Sequence, residues 1–141
     1  MEISISHFGI ENDLYQECLK LREEVLRRPL GMSLSEKDKA YDADSIHILL
    51  MVNGKPAGTV ALYGNQLRQM AVSDDFKGQG LGKKLVEYLE AISGKDEIIL
   101  EARDYAIPFY QKCGYQGYGE FYEKVGMPHQ MMKKIIQIFF H

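Results

Sequence analysis

Apolar and polar residues alternate along residues 1–10, and this alternation predicts a half-buried first strand. Residues 9–12 supply a turn and a helix cap, and a helix is expected from there to about Arg28, where Pro29 stops it. The apolar positions of this helix recur at helical spacing: Leu14, Cys18, Leu21 and Val25. At about 100° per residue, Arg22 falls between the apolar rows, so its guanidinium should point toward the domain or a cleft in it.

Residues 28–45 hold a glycine, several serines and a charge run, which predicts a loop that could contain one short helix. Three strand-like runs follow at residues 46–52, 57–63 and 66–72. The first two runs are joined by Asn53-Gly54-Lys55-Pro56, whose Asn-Gly pair readily adopts the positive φ angles of a tight hairpin. Three antiparallel strands in a row are therefore expected.

The apolar pattern takes a helical period at residues 81–92, and Gly94 is expected to end this helix as a C-cap. A short buried strand is predicted at residues 98–100, and Pro108 begins a further helix that extends to about Cys113. The sheet is closed by two more strand-like stretches, residues 115–122 and 131–139.

The composition supports a single α/β domain over residues 1–141, because 45% of the residues are apolar and can form a core. The charged fraction is 26% and the net charge is −3, so no nucleic-acid partner and no membrane partner is predicted. Residues 1–10 lack the apolar run of a secretory signal, and a cytoplasmic protein is expected. Cys18 and Cys113 have neither metal-ligand spacing nor a disulfide framework, so both are predicted to be small buried hydrophobic residues and no metal is expected.

The segment with candidate chemistry is a glycine-rich loop, Lys77-Gly78-Gln79-Gly80-Leu81-Gly82-Lys83-Lys84, between a strand and an amphipathic helix. Glycines let the backbone approach a ligand closely, and the free N–H groups of a first helical turn favour an anion. The loop is not a dinucleotide-binding fingerprint, which needs glycine at Lys83, nor a P-loop, which needs glycine at Lys77 and Ser or Thr at Lys84. Taken alone, it could also be a turn that only caps the helix.

The loop and its neighbours together resemble a known family. Residues 67–73, a short acidic spacer, the glycine-rich loop and the following helix resemble the acetyl-CoA binding core of the GNAT superfamily, and residues 106–115 resemble its next helix and glycine-aromatic pair. The loop pattern of that family is Arg or Gln, two residues, Gly, one residue, then Gly or Ala, and Lys77, Gly80 and Gly82 take these places. Lysine departs from the commonest first residue but keeps its charge.

The resemblance implies a mixed, mostly antiparallel sheet flanked by helices, whose fourth and fifth strands splay apart to admit the pantetheine arm of acetyl-CoA. Backbone groups of the fourth strand would pair with this arm, and one N–H near Met70 would face the thioester oxygen. The residues expected to bind acetyl-CoA are Met70, Ala71, Val72, Lys77, Gly78, Gln79, Gly80, Leu81, Gly82 and Lys83.

Two residues are candidates for catalytic proton transfer. Tyr110 matches the tyrosine that the family places beside the sulfur, where it could protonate the departing thiolate; the alternative is a structural role in its helix. His129 follows the rigid turn Gly126-Met127-Pro128. Residues 125–131 resemble a segment of the GNAT branch that includes the glyphosate N-acetyltransferases, in which the histidine is the general base; the alternative for His129 is to cap a turn.

The same branch binds its small acidic substrate through arginines, and Arg22, Arg68 and Arg103 match them. The planar fork of arginine suits carboxylate or phosphonate, although each arginine could instead lie on a solvated surface. The resemblance implies acetyl transfer from acetyl-CoA to the primary amine of a small, anionic amino compound, by direct attack without an acyl-enzyme. Two alternatives stay open: an enzyme for protein N-termini or lysines, and a catalytically silent acyl-CoA sensor. The apolar tail, residues 135–140, would suit a homodimer interface as well as a last strand.

Overall fold

The computed structural model describes residues 1–136 of the chain. The strands are β1 (Ile3–Phe8), β2 (Ile46–Val52), β3 (Lys55–Tyr63), β4 (Gln66–Val72), β5 (Glu97–Arg103), β6 (Gln116–Lys124) and β7 (Met127–Ile135). They form one seven-stranded sheet in the order β1-β2-β3-β4-β5-β7-β6. Adjacent strands are antiparallel except β4 and β5, which are parallel. The prediction of a mixed, mostly antiparallel sheet is confirmed.

Three segments of the described chain are α-helical: α1 (Tyr15–Arg22), α2 (Leu81–Ser93) and α3 (Ile107–Lys112). Shorter turns are π-helical at Glu23–Arg27 and 3₁₀-helical at Arg28–Leu30, Lys37–Lys39, Asp42–Asp44, Asp74–Phe76 and Asp104–Ala106. Before α1, the backbone N–H of Leu14 donates to Asn12 Oδ1 at 2.8 Å and forms the predicted turn, but the N-cap residue of α1 is Leu14, whose side chain makes no capping bond. Gly94 ends α2 in the left-handed conformation, as its position after the last apolar residue predicts.

The end of the first helix differs from the prediction. The sequence predicts one α-helix as far as Arg28, whereas α1 stops at Arg22 and continues as the π-helical turn and then a 3₁₀ turn. Pro29 has no N–H to donate, so α-helical hydrogen bonding cannot continue through it. The wider π-helical turn changes which side chains face the sheet, and this affects the site described below.

The sheet has an apolar core on each face. α2 and α3 pack on one face, where the core includes Ile48, Leu50, Leu85, Leu89, Ile98 and Leu100. α1 covers the other face, where the core includes Cys18, Leu21, Leu49 and Ala71. Because side chains alternate along a strand, Glu101 and Arg103 of β5 lie on the same face as α1. Cys18 is buried as predicted, whereas Cys113 is only half-buried, and both are free thiols.

The centre of the sheet is open. β4 and β5 pair only at Gln66 with Ile99 and at Leu67 with Leu100, and beyond these pairs the two strands diverge. The predicted splay of the fourth and fifth strands is therefore confirmed. It opens a cleft between the strands, toward the glycine-rich loop.

The last hairpin corrects the predicted surroundings of His129. Val125 and Gly126 both have positive φ angles and form a tight turn, so strand pairing resumes at Met127. His129 is consequently the third residue of β7, and the turn before it ends at Gly126 instead of extending over Met127 and Pro128. Pro128 lies just before β7 begins to pair with β5, so its missing N–H costs no sheet hydrogen bond there.

The C-terminal end of the predicted last strand, residues 137–139, lies outside the described residues, as does most of the tail that was considered for a homodimer interface. Within residues 1–136 there is no helix with the length and apolar character needed to cross a membrane.

Candidate functional site

A cleft of about 1090 Å³ extends from the glycine-rich loop, past the divergence of β4 and β5, to the loop of residues 31–45. Most of the predicted site residues line it: Arg68, Met70, Ala71, Val72, Lys77, Gly78, Gly80, Leu81, Gly82, Lys83, Arg103, Tyr110 and His129. Gln79 and Arg22 do not line it. The cleft therefore brings together residues from both halves of the chain.

The glycine-rich loop ends directly at the N-terminus of α2. Gly78 and Gly80 are left-handed, with φ angles of 78° and 76°, and a Cβ on either would meet open space. No side chain among residues 1–136 caps the N-terminus of α2, and its first turn carries Lys83 and Lys84 and no acidic residue. Free N–H groups, the positive end of the helix dipole and two lysines make this end of the cleft suited to a phosphate. Lys77 is exposed and forms an ion pair with Asp74 at 2.7 Å.

Gly82 has a packing role as well. A Cβ at this position would lie 3.0 Å from the ring of Phe109, so glycine lets α2 approach α3 closely. This contact fixes the N-terminus of α2 beside the helix that carries Tyr110.

Among residues 1–136, no strand pairs with the β5-facing edge of β4 along the cleft. On its other edge, Ala71 and Val72 pair with β3, but pairing with β5 stops at Leu67. The pairing of β4 with β3 shifts register between Arg68 and Ala71, and Gln69 in this interval has a positive φ of 56°. An unpaired strand edge presents backbone N–H and C=O groups to an extended ligand.

Tyr110 lies in α3 and is 7% exposed, with its ring packed between those of Phe109 and Tyr115. Burial raises the pKa of Tyr110 above its ordinary value, and the neighbouring Cys113 and Tyr105 act in the same direction. The hydroxyl is therefore protonated throughout the neutral range and can act only as a proton donor in a first step.

His129 is 4% exposed, lies opposite Arg103 of β5 in the sheet register, and stacks on the ring of Tyr122 with centroids 6.0 Å apart. Its Nδ1 is 2.9 Å from the backbone carbonyl oxygen of Met127. A carbonyl oxygen only accepts, so Nδ1 carries the hydrogen in this bond. The lone pair of the neutral ring is then on Nε2, which is the atom that can accept a proton.

Glu101 is a cleft residue that the sequence analysis missed. Its carboxylate accepts hydrogen bonds from the hydroxyl of Tyr122 and, at 2.7 Å, from Lys124 Nζ. Burial alone would raise the pKa of Glu101, but the bonds from Lys124 and Tyr122 outweigh burial and hold it below its ordinary value. The signal in the sequence was the alternation of β5, which puts Glu101 on the same face as Arg103, but the predicted strand was too short to include either residue.

Two arginines in the cleft have no carboxylate partner among the described residues. Arg68 is half-buried, and its guanidinium lies 4.6 Å over the ring of Tyr41. Arg103 donates to the hydroxyl of Tyr105 at 3.0 Å and to the backbone carbonyl of Leu26 at 3.4 Å. Both guanidinium groups keep donors and a positive charge that protein carboxylates do not neutralise, which suits an anionic ligand.

The predicted substrate contact of Arg22 is wrong in this structure. Its side chain points inward, as predicted, but it is completely buried and donates to Asp42 at 2.7 Å and to His47 Nδ1 at 3.1 Å. Burial lowers the pKa of His47, so this imidazole stays neutral and can accept from Arg22. Asp42 comes from the loop of residues 31–45. Arg22 therefore joins α1 to that loop and does not reach the cleft.

The comparisons with known proteins agree with this fold. A family model described as an acetyltransferase (GNAT) domain matches residues 30–136. The uncharacterized protein YyaT of Bacillus subtilis (strain 168) is 30% identical over 146 residues, covering 95% of this chain and 97% of the relative. A crystal structure of an acyl-CoA N-acyltransferase from Pseudomonas aeruginosa superposes with a TM-score of 0.80 at 21% identity, covering 94% of this chain and 99% of that one. An aminoglycoside 6′-N-acetyltransferase crystallised with coenzyme A gives a TM-score of 0.74 at 18% identity, covering 98% and 99% of the two chains.

Proposed function

Because this chain belongs to the GNAT family of acetyltransferases, we propose that it transfers the acetyl group of acetyl-CoA to the primary amine of a small, anionic amino compound. An anionic acceptor is supported by the pair Arg68 and Arg103, which line the cleft without a carboxylate partner in the described chain. Arginine donors of this kind favour carboxylate or phosphonate groups. Resemblance to the glyphosate N-acetyltransferase branch remains a prediction, and it now rests on Arg68, Arg103 and His129 without Arg22.

Acetyl-CoA as the acetyl donor is supported by the shape and chemistry of the other end of the cleft. The left-handed Gly78 and Gly80 leave open space beside the N-terminus of α2, where a diphosphate would accept hydrogen bonds from backbone N–H groups. The unpaired edge of residues 70–72 would pair with the amides of the pantetheine arm. The aminoglycoside 6′-N-acetyltransferase of the same fold was crystallised with coenzyme A.

The proton transfers are assigned to two cleft residues. Nε2 of His129 would take a proton from the acceptor amine, which must be neutral to attack the thioester carbonyl. A backbone N–H near Met70 would stabilise the developing oxyanion. The Tyr110 hydroxyl would then give its proton to the departing sulfur; because both groups lie in the same poorly solvated cleft, burial raises the proton affinity of the thiolate as well.

The test is a panel of primary amines with acetyl-CoA, read by the release of free thiol. The panel contains amino acids, aminophosphonates, neutral amines of matching size, and peptides with free N-termini. Saturable turnover on the small anionic amines, with Arg68→Gln raising their KM and leaving the KM of acetyl-CoA unchanged, is the expected result. Arg28→Gln is the matched control, because Arg28 is exposed and does not line the cleft.

Two other outcomes would each contradict the proposal. If turnover is fastest on peptides, the acceptor is a protein or peptide and not a small compound. Tight binding of acetyl-CoA with no turnover on any amine would indicate a catalytically silent acyl-CoA sensor. Tyr110→Phe adds a check on the mechanism, since it should lower kcat more than it weakens acetyl-CoA binding.

A further inference from the structure

Gln69 has an unusual backbone conformation in the middle of a strand. Three residues other than glycine have positive φ angles within residues 1–136: Asn53, Gln69 and Val125. Asn53 and Val125 belong to the tight turns of hairpins, which require such angles, whereas Gln69 is the fourth residue of β4. A positive φ is unfavourable for a residue with a Cβ, so contacts elsewhere must hold Gln69 in this conformation.

The conformation of Gln69 belongs to a bulge that changes the direction of the side chains of β4. Gln69 and Met70 have no register partner in β3 and together lie opposite a single residue of that strand. Side chains of a regular strand alternate between the two faces, yet Leu67 and Met70, three residues apart, both pack in the core on the side of α2 and α3. Arg68 and Gln69 instead both contact the loop of residues 31–45.

The side chain of Gln69 is bonded to a fixed part of that loop. Gln69 Nε2 donates to the backbone carbonyl oxygen of Asp38 at 3.4 Å, and both residues line the cleft. The carboxylate of Asp38 accepts from the backbone N–H of Ser35 at 2.9 Å and from Arg27 Nη2 at 2.6 Å. Burial alone would raise the pKa of Asp38, but the bonds from Ser35 and Arg27 outweigh it and keep the carboxylate ionised. The carbonyl that Gln69 contacts is therefore held on the π-helical turn by an ion pair whose side chains are only 14% and 12% exposed.

We propose that Gln69 is a positioning residue for acetyl transfer. Its side chain joins the bulge of β4 to the loop of residues 31–45 and so holds the backbone N–H of Met70 toward the thioester oxygen. This inference rests on the proposed function, in which an N–H near Met70 stabilises the developing oxyanion. The peptide group between Gln69 and Met70 is planar, so a change in the ψ angle of Gln69 turns the N–H of Met70 directly. The loop that lines the cleft and the oxyanion donor are thereby held as one unit.

The direct test compares the backbone amide ¹H signal of Met70 in protein saturated with coenzyme A and in protein saturated with acetyl-CoA, without an acceptor amine. Only acetyl-CoA has a thioester oxygen, so the wild-type signal should move downfield between these two states, as the signal of an amide proton does when it forms a hydrogen bond. Gln69→Met removes the amide group and keeps the length of the side chain, and it should reduce this difference. A Met70 signal that is the same with both ligands, or that moves equally in the wild type and in Gln69→Met, overturns the proposal.

Two further variants separate the side-chain bond from the backbone conformation. Gln130→Met is the matched control, because Gln130 Nε2 donates to the backbone carbonyl oxygen of Gly119 at 3.1 Å but Gln130 does not line the cleft. It should keep the wild-type signal difference and kcat. Gln69→Gly adopts a positive φ readily but has no side chain to bond the loop. It should be at least as stable to chemical denaturation as the wild type and still have a reduced signal difference. A Gln69→Gly protein with the wild-type difference and kcat would mean that only the φ angle matters, and it would overturn the proposal.

Kinetics provide a second measurement. Gln69→Met should lower kcat for a small anionic amine by roughly two- to tenfold, the range expected for one neutral hydrogen bond, while the KM of acetyl-CoA is unchanged. Asp38→Ala frees the carbonyl on the loop side of the same contact and should also lower kcat. If both residues act through this one contact, the double variant is no slower than the slower single variant. Losses of kcat that multiply in the double variant would mean that the two residues act independently, and they would overturn the proposal.

The two proposals fail in different ways. If the wild-type protein acetylates no amine but its Met70 signal distinguishes acetyl-CoA from coenzyme A and that of Gln69→Met does not, the proposed function is wrong and the positioning of this N–H by Gln69 stands. If small anionic amines are acetylated and Gln69→Met changes neither kcat nor the Met70 signal, the proposed function stands and Gln69 has no positioning role.

Discussion

In the proposed function, the cleft has a donor end, formed by residues 70–72 and the glycine-rich loop of residues 77–83, and an acceptor end, lined by Arg68, Arg103 and His129. At the donor end the groups that face the cleft are backbone amides held open by glycines, and all come from one continuous stretch of chain. At the acceptor end they are side chains from three separate strands.

This difference has a functional consequence. Backbone groups cannot be exchanged by substitution, so the donor end is suited to a co-substrate that never changes. The acceptor end can change its ligand through single side-chain substitutions, because each cation is supplied by a different element. Mutations should therefore separate the two ends, with donor-end changes affecting acetyl-CoA and acceptor-end changes affecting the amine.

The largest separation is expected from His129→Ala. Loss of a well-placed general base lowers rates by roughly 10²–10⁴-fold, so kcat at pH 7 should fall by this amount while acetyl-CoA binding is unchanged. The acidic limb of the pH–rate profile should also flatten, since histidine is the side chain that ordinarily changes charge near neutral pH. The measurement is kcat from about pH 5.5 to about pH 9, an interval that includes the ordinary pKa of histidine.

His7→Ala is the control for this variant, because His7 lies in β1, where its Nδ1 bonds Tyr88, and does not line the cleft. If the His129→Ala variant keeps the full acidic limb, the general base is another group. Ordered water, or the ionised carboxylate of Glu101 in the same cleft, would then be the next candidates.

Arg22 tests the boundary of the acceptor end, since the sequence placed it there and the structure does not. Breaking a buried ion pair by removing one partner costs about 3–5 kcal/mol, so Arg22→Met should lower the free energy of unfolding by about that much. Lys20→Met is the control in the same helix, and its exposed pair with Glu17 should contribute little. Chemical denaturation measures both. If the Arg22→Met protein is as stable as the wild type and its KM for the acceptor is raised, Arg22 binds the acceptor after all.

The donor end was predictable because its signals are local. The glycine-rich loop and the start of α2 follow from residues that are close in sequence, and the splay of β4 and β5, which the family resemblance implies, is present. Gln79 is the exception within the loop: it lies between two left-handed glycines and does not line the cleft. A motif shows that a loop turns toward a ligand, but it does not show which side chains turn away.

The acceptor end was only partly predictable because its geometry depends on contacts between distant segments. Helical periodicity correctly predicted that the side chain of Arg22 points inward, but it could not show that Asp42 would neutralise the charge of Arg22. Arg27 lines the cleft and was not predicted to do so, because its direction depends on a π-helical turn and on its ion pair with Asp38, and neither has a signature in the sequence. Glu101 was missed because the predicted strand ended at residue 100.

The smallest expected effect compares two glycines of the same conformation. Gly80 lies in the glycine-rich loop and Gly54 in the β2–β3 hairpin; their φ angles are 76° and 79°, and a Cβ on either would meet open space. Alanine in the left-handed region costs roughly 1–2 kcal/mol, so Gly80→Ala and Gly54→Ala should lower the free energy of unfolding equally. Only Gly80→Ala should also weaken coenzyme A binding, by about tenfold, because the methyl group would hold the diphosphate away from the backbone N–H groups. Calorimetric titration with coenzyme A measures the difference. Equal affinities in the two variants would mean that the loop caps α2 without binding the coenzyme, and the division of the cleft into a backbone end and a side-chain end would not hold.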